Sequence, residues 1–253
     1  MRILAFFAHP DDETILIGGT LALLSRLGAD VHYLCATRGE GGELGDPPVG
    51  LRDEIGRLRE QELTCAVKAL GGKSLEFLGY VDPLVGPNDE LYAFATDLPE
   101  VVAKLAAVAH DLQIDALITH GSNGEYGHPA HRLVYQAAAD WVRLLGPDAP
   151  LWYTVMAAYP DHPRPRSVNP DDPADFIIDV TPTLEQKTQA AFCHASQNAL
   201  FVRRRSEEAG RRMTVPEVML SEESLHRVWP PSDDLLMDPL AELLVRSGQL
   251  LSR

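Results

Sequence analysis

The sequence predicts an α/β fold with helices covering both faces of a mostly parallel sheet. Three observations carry that prediction: short unbroken apolar runs, helical patterns between them, and turn residues at the joints. A strand buried on both faces reads as a continuous apolar run, whereas an amphipathic helix repeats apolar residues every three or four positions. Ile3 to Ala8 is the first such run. Thr14 to Leu27 carries Ile15, Leu16, Leu21, Leu24 and Leu27 at helical spacing, with Gly28 as a stop. Val31 to Ala36 is the second strand, followed by the glycine-rich loop TRGEGGELGDPP from Thr37 to Pro48. A helix from Leu51 to Leu70 ends at Gly71 and Gly72. Strand Leu75 to Leu78, helix Pro99 to Leu112, strand Ala116 to Thr119 and helix Pro129 to Leu145 follow. This alternation, with right-handed crossovers, describes a Rossmann-like three-layer α/β/α sandwich.

Beyond Pro150 the rhythm weakens. Trp152 to Ala157 and Phe176 to Val180 read as strands, Thr181 to His194 as a helix, and Pro160 to Pro173 as a proline-rich surface loop. Asn198 to Arg212, with five Arg and two Glu, reads as a solvated helix. The expectation is a single domain over residues 1–253, of which 150–253 is the less regular part.

Charge and cysteine usage narrow the function classes. A net charge of -15 and a pI near 4.9 exclude nucleic acid as the expected partner, because phosphate recognition needs Lys and Arg. The same field mildly favours a cation. Cys35, Cys65 and Cys193 stand far apart in apolar surroundings and read as reduced core thiols, which suits a cytoplasmic protein. The N-terminus lacks a small-residue cleavage site and no apolar stretch reaches spanning length, so no membrane partner is expected. The sequence leaves a homo-oligomer open.

In open α/β sheets ligands bind beyond the carboxyl ends of the strands. AHPDDE closes the first strand, TRGEGGE the second, and GEYGHPAH follows the strand ending at Thr119, so three loops converge on one crevice. A catalytic zinc site uses three protein ligands and keeps one position open; His9, Asp12 and His131 supply that count. Pro10 fixes a backbone dihedral between the first two. Pro129 suits a first helical position, so His128 sits at the cap and His131 one turn in, on the same face. Taken separately, Asp11, Asp12 and His128 could simply cap helices, and Glu13 could simply complement a helix dipole. Capping leaves unexplained why both clusters meet at one sheet edge.

AHPDDE, GHPAH and HASQ at 194–197 together resemble the LmbE-like or PIG-L family of zinc-dependent N-acetylglucosaminyl deacetylases. The likeness runs through residues 1–200 and includes Arg59, Glu62, Leu63, Ala66, Leu78 to Asp82, and Lys187 ahead of His194. GEGGELGD and NGEYGHPAH look closest to the branch acting on sugar precursors of low-molecular-weight thiols such as mycothiol. Ala130, where relatives often carry an acid, and Gly121 and Ser122 depart from the pattern and bear on substrate fit. The resemblance implies hydrolysis of the N-acetyl group of an N-acetylglucosamine conjugate, a small amino-sugar substrate. It implies Zn2+, or another divalent transition metal, on His9, Asp12 and His131. Asp11 becomes the general base, with His128 and Tyr126 as donors to the developing oxyanion. Whether His128 also protonates the departing amine stays open, since a helix N-terminus and a nearby cation both disfavour imidazolium. Arg59 and Asp82 would meet sugar hydroxyls, although Arg59 on a charged helix reads equally as a surface ion pair. His194 would brace the active-site loops from behind. The remaining histidines, His120 nearest the site among them, read as structural or surface residues.

Two rivals stand beside this reading. A phosphoesterase would need a second set of metal ligands. A non-catalytic sugar- or nucleotide-binding module fits the scaffold, but no GxGxxG follows the first strand.

Overall fold

The computed structural model describes residues 1–231 and 238–251, with Arg204 described for its backbone alone. Its centre follows from the two-residue period of a strand. In β1 (Arg2–Phe7), Ile3, Ala5 and Phe7 enter one core cluster, while Leu4 and Phe6, with Ala8 just beyond, enter another. The first cluster receives Ile17, Leu21 and Leu24 of α1 (Asp12–Arg26). After β2 (Asp30–Thr37) comes α2 (Ile55–Ala69), whose Leu63, Ala66 and Val67 join the same cluster. β3 (Ser74–Tyr80) leads to α3 (Leu98–Leu112), and β4 (Ala116–Thr119) leads through a short turn, α4 (Gly124–Gly127), to α5 (Pro129–Leu145). Val101 and Leu105 of α3 and Val134, Ala137 and Trp141 of α5 fill the second cluster. Helices therefore cover both faces, as the sequence predicts.

The rest of the chain widens the sheet. β5 (Leu151–Val155), β6 (Ala157–Ala158), β7 (Asn169–Pro173) and β8 (Phe176–Asp179) precede α6 (Leu184–Cys193), α7 (Asn198–Ala209) and α8 (Val215–Val218). β9 (Glu222–Trp229) and α9 (Pro239–Ser247) complete the described elements. The main sheet runs β3-β2-β1-β4-β5-β9-β8. Pairing is parallel from β3 to β5, and β9 lies antiparallel between β5 and β8. Strand order reverses at β1, so the loops after β1 and β4 open on one crevice, where ligands of such sheets bind.

Several expectations need correction. Residues 51–54 form a turn ahead of α2 instead of its first turn, with Arg52 Nη1 donating to the carbonyls of Glu40 and Gly42. The Trp152–Ala157 run breaks at Met156, which takes φ 57, so it divides into β5 and β6. The proline-rich stretch 160–173 is not all loop, because its end pairs in parallel with β6 as β7. Thr181–Thr183 is a 3-10 turn before α6. Finally, α2 and α6 pack side by side, bringing Cys65 and Cys193 to a Cα separation of 5.7 Å in a disulfide across 128 residues. The reading of three reduced thiols holds only for Cys35, a buried free cysteine. Among the described residues, no helix is long and apolar enough to cross a membrane.

Candidate metal centre

The β1–α1 junction is bent to present carboxylates. Asp11 takes the N-cap place of α1 at φ 113, a left-handed value strained for any residue but glycine, and its side chain makes no capping bond. The amides of Thr14 and Ile15 bond to the backbone oxygen of Asp11 instead, at 3.0 and 2.9 Å. Asp12 turns back, so that its Oδ2 accepts from the His9 amide at 2.9 Å. Neither carboxylate is spent on capping. Both line a cavity beside His131 and Tyr126.

Glu13 holds this bend. Its Oε2 accepts the Asp11 amide at 2.9 Å, and its Oε1 lies 2.9 Å from His194 Nε2 and accepts from Thr14 Oγ1. Glu13 and His194 are buried, and His194 arrives from the end of α6. Ser196, two residues on, donates its amide and hydroxyl to Glu62 of α2. Arg59, also on α2, donates to Pro10 O, Gly39 O and Asp11 Oδ2, the last at 3.2 Å. Arg59 is 3% exposed, which removes the surface-ion-pair alternative. Gly39 takes φ 68, and a Cβ there would stand 2.1 Å from the Arg59 guanidinium, so a side chain at this point would be strained and would displace Arg59. Asp82 joins from the segment after β3, with Oδ1 at 3.2 Å from His9 Nε2 and Oδ2 accepting the Gly41 amide.

From the β4 side, Glu125 orders the imidazoles. Its Oε2 lies 2.6 Å from His131 Nδ1 and 2.9 Å from His120 Nδ1, and the two rings stack with centroids 3.8 Å apart. A carboxylate on Nδ1 fixes that proton and leaves Nε2 of His131 as a lone pair. That buried Nε2 has no hydrogen-bond partner and sits 3.4 Å from Asp12 Oδ1. The other oxygen of Asp12 lies 3.3 Å from His9 Nδ1. Asp12 thus bridges the two expected imidazole ligands. Among the described residues, two sets of side chains have donor atoms close enough to share an ion: His9, His128 and His131, and Asp12, His120 and His131. They share His131. The Ala8 amide donates to His120 Nε2 at 3.1 Å, so that lone pair is already used. His120, expected to be structural or surface, is fully buried inside the cluster as a support.

The donor set fits a divalent metal on the chain's own geometry. An orphaned imidazole nitrogen faces a carboxylate, and its far nitrogen is held by a second carboxylate, the arrangement that orients ligating histidines. Burial lowers the pKa of His131, favouring the neutral ring a metal needs. Burial opposes ionisation of Glu125, yet His120 and His131 outweigh it and hold the acid at about 2. For Asp12 likewise, His131 and His120 overcome burial and keep the carboxyl well below its ordinary range. Burial lowers His9, but hydrogen bonds to Asp12 and Asp82 win and raise it to about 10, so this ring gives up a proton when it binds a metal. Burial raises Asp11 to about 7 despite the Arg59 charge. His128 is pushed down to about 3, first by burial and then by the neighbouring His131 and His9. Its Nδ1 accepts the Ala130 amide at 3.2 Å, so the neutral ring carries its proton on Nε2. Tyr126, 60% exposed, packs edge-on against His131 and His128.

Sequence reasoning missed Glu125, and it read Glu13 only as a dipole partner. GEYG looks like a turn, and one signal was available: an acid six residues ahead of a histidine that needs its tautomer fixed.

Comparison with known proteins bears on this geometry. The family model "PIG-L: GlcNAc-PI de-N-acetylase" matches residues 4–142. The chain is 34% identical over 238 residues to 1D-myo-inositol 2-acetamido-2-deoxy-alpha-D-glucopyranoside deacetylase of Rhodococcus opacus, covering 78% of this chain and 81% of that protein. Among solved structures it resembles the 4-carboxy-2-hydroxymuconate hydratase GalB of Pseudomonas putida, with TM-score 0.64 and 22% identity over 92% of this chain and 98% of that one. It also resembles N,N'-diacetylchitobiose deacetylase of Pyrococcus horikoshii, with TM-score 0.59 and 22% identity over 90% of this chain and 83% of that one. A hydratase and a deacetylase on one scaffold mean that the fold does not choose the reaction.

Proposed function

The chain belongs to the PIG-L family, and from that premise we propose that it removes the N-acetyl group of an N-acetylglucosamine conjugate at the His9, Asp12 and His131 cluster. It is a metal-dependent hydrolase of a carbon–nitrogen bond other than a peptide bond. The observation that carries the assignment is the orphaned Nε2 of His131, aimed at Asp12 with Glu125 fixed behind it. Two imidazole nitrogens and a carboxylate oxygen suit zinc, which we assign to these three ligands. Zinc supplies Lewis acidity, polarising a carbonyl and acidifying water.

The chain's own residues do the rest. Asp11, poised at about 7, takes a proton from the attacking water and returns it to the departing amine. Arg59 holds that carboxylate in line, and Glu13 holds the backbone beneath it. His128 donates from Nε2 to the acetamide oxygen as it becomes anionic, with Tyr126 as the second donor. A ring held neutral to about pH 3 serves as a donor and not as the acid for the amine. Arg59 and Asp82 both bond to the glycine-rich loop, which supports our assignment of the sugar hydroxyls to that side.

The phosphoesterase reading fares worse. It needs two metals, whereas the two candidate ligand sets share His131 and the Nε2 of His120 is engaged. The test is release of primary amine from N-acetylglucosamine, its inositol and malate conjugates and chitooligosaccharides, with added zinc. Turnover lost in His131→Ala supports the reading; no amine from any of the four removes it.

A further inference from the structure

α1 presents two kinds of residue on one face. Asp11 and Asp12 open the helix, and Ile15 and Leu16 continue the same face one turn later, because positions three and four apart are neighbours. All four line one cavity of about 670 Å³, together with Tyr126 and His131. Such a volume lies within the range of about 300–1,000 Å³ typical of small-molecule sites. The facing wall comes from Pro163, from Leu200 and Phe201 of α7, and from Met219 just after α8. Ile15, Phe201 and Met219 belong to one apolar cluster distinct from the two that sandwich the sheet. These wall residues beyond α1 lie outside residues 4–142, the part matched by the family model.

The reacting carboxylate and the apolar wall therefore share one continuous space. Of the three arginines at this cavity, Arg164 and Arg205 are engaged with the protein and Arg166 is exposed. Arg164 Nη2 donates to Val218 O at 2.9 Å, and Arg205 Nη1 donates to Glu208 at 3.0 Å. Where Pro163, Leu200, Phe201 and Met219 form the wall, a polyhydroxylated aglycone would lose water and gain no hydrogen bond, with Arg166, Ser167 and Glu208 as the polar exceptions. An alkyl or aryl group would gain from the same surface.

We propose that this cavity is the aglycone subsite and that it selects N-acetylglucosamine glycosides bearing an apolar alkyl or aryl aglycone. The assignment rests on the deacetylase reading above. It adds what the shared centre does not specify, the chemistry on the far side of the glycosidic oxygen.

The experiment measures kcat/KM for acetate release from methyl, butyl and hexyl glycosides of N-acetylglucosamine and from its inositol conjugate, using the full-length zinc-loaded protein. Each methylene fully buried is worth about fourfold (~0.8 kcal/mol), so hexyl should exceed methyl by at least about tenfold even with partial burial. Leu200→Asp changes a residue 44% exposed and places a charge on the wall, so within that variant the hexyl-to-methyl ratio should fall toward one. Equal rates for methyl and hexyl, or an inositol conjugate faster than hexyl, would overturn the subsite while leaving the deacetylase intact. If no glycoside reacts, the deacetylase reading fails first, and titration calorimetry with the same series decides the cavity. Affinity rising with chain length and lost in Leu200→Asp sustains the subsite, and affinity independent of chain length refutes it.

Discussion

Glu13→Ala should lower kcat by about ten- to hundredfold while leaving metal content unchanged. Asp11 is held at φ 113, and a non-glycine residue in such a region stores about 1–3 kcal/mol that its surroundings must offset. Glu13 Oε2 accepts the Asp11 amide at 2.9 Å, and a hydrogen bond to a charged group contributes about 1.5–3 kcal/mol. Losing that bond shifts Asp11 toward relaxed backbone states by a similar amount. At about 1.4 kcal/mol per tenfold, the aligned fraction falls by one to two orders of magnitude. The alternative is that Glu13 only complements the α1 dipole, worth about 0.3–1 kcal/mol, and then stability drops slightly while kcat does not. Steady-state amine release, metal stoichiometry and a double-mutant cycle with Asp11→Asn separate the two. If Glu13 acts through Asp11, Glu13→Ala costs nearly nothing once Asp11 is already asparagine. Glu13→Gln keeps an oxygen for the Asp11 amide and should recover most of the rate. An equal loss in both backgrounds would refute the positioning role.

Asp11→Asn should retain zinc and lose at least about a hundredfold in kcat, whereas His131→Ala should lose both metal and turnover, as metal analysis beside the amine assay will read. Because Asp11 ionises at about 7 in the fold, kcat/KM should climb with pH up to that point; a flat profile from about pH 5 to 8 removes it as base. The folded chain also keeps that proton over a range where the unfolded chain has released it, so this group weakens the fold as pH rises from 3.8 to about 7. Glu125→Gln should weaken zinc about ten- to hundredfold in competition with a chromogenic chelator, and unchanged affinity would show that Glu125 does not orient His131. Glu125, with its folded value near 2, stabilises the fold above 4.5, and that contribution is lost as pH falls toward 2. Reducing the Cys65–Cys193 bond should lower unfolding free energy by about 2–5 kcal/mol in denaturant titrations, given the long loop it closes; coincident curves with and without reductant would contradict the bond.

Legibility in the sequence followed the range of the interactions. The elements from β1 to α5 were readable because strand and helix periods are local properties of ten or so residues, and their order then dictates a parallel sheet. That His9, Asp12 and His131 would come together was readable for a related reason: each sits in a short motif at a strand's carboxyl end, where topology gathers loops. What escaped the reading depends on partners distant in sequence. β7 is Asn-Pro-Asp-Asp-Pro, a stretch with no strand propensity that pairs only because β6 lies beside it. Cys65 and Cys193 looked unrelated because 128 residues separate them, yet the packing of α2 on α6 sets their distance.

Glu13 and Glu125 show a subtler failure. Each has a sufficient local explanation, a first-turn acid and a turn residue, so neither asks for a distant partner. Their work shows only when β1, β4 and the His194 segment close on one another. Glu13 then fixes the backbone of the proposed base, and Glu125 fixes the tautomer of His131, the proposed ligand. The two buried glutamates hold different members of the cluster, Glu13 the Asp11 amide and Glu125 the Nδ1 of His131. Metal binding and general-base alignment should therefore fail separately. Glu125 variants lose affinity before rate per bound metal, and Glu13 variants lose rate before affinity. That split is the consequence of two independent supports meeting at one carboxylate pair, and a variant at either position that lost both together would show that the supports are one.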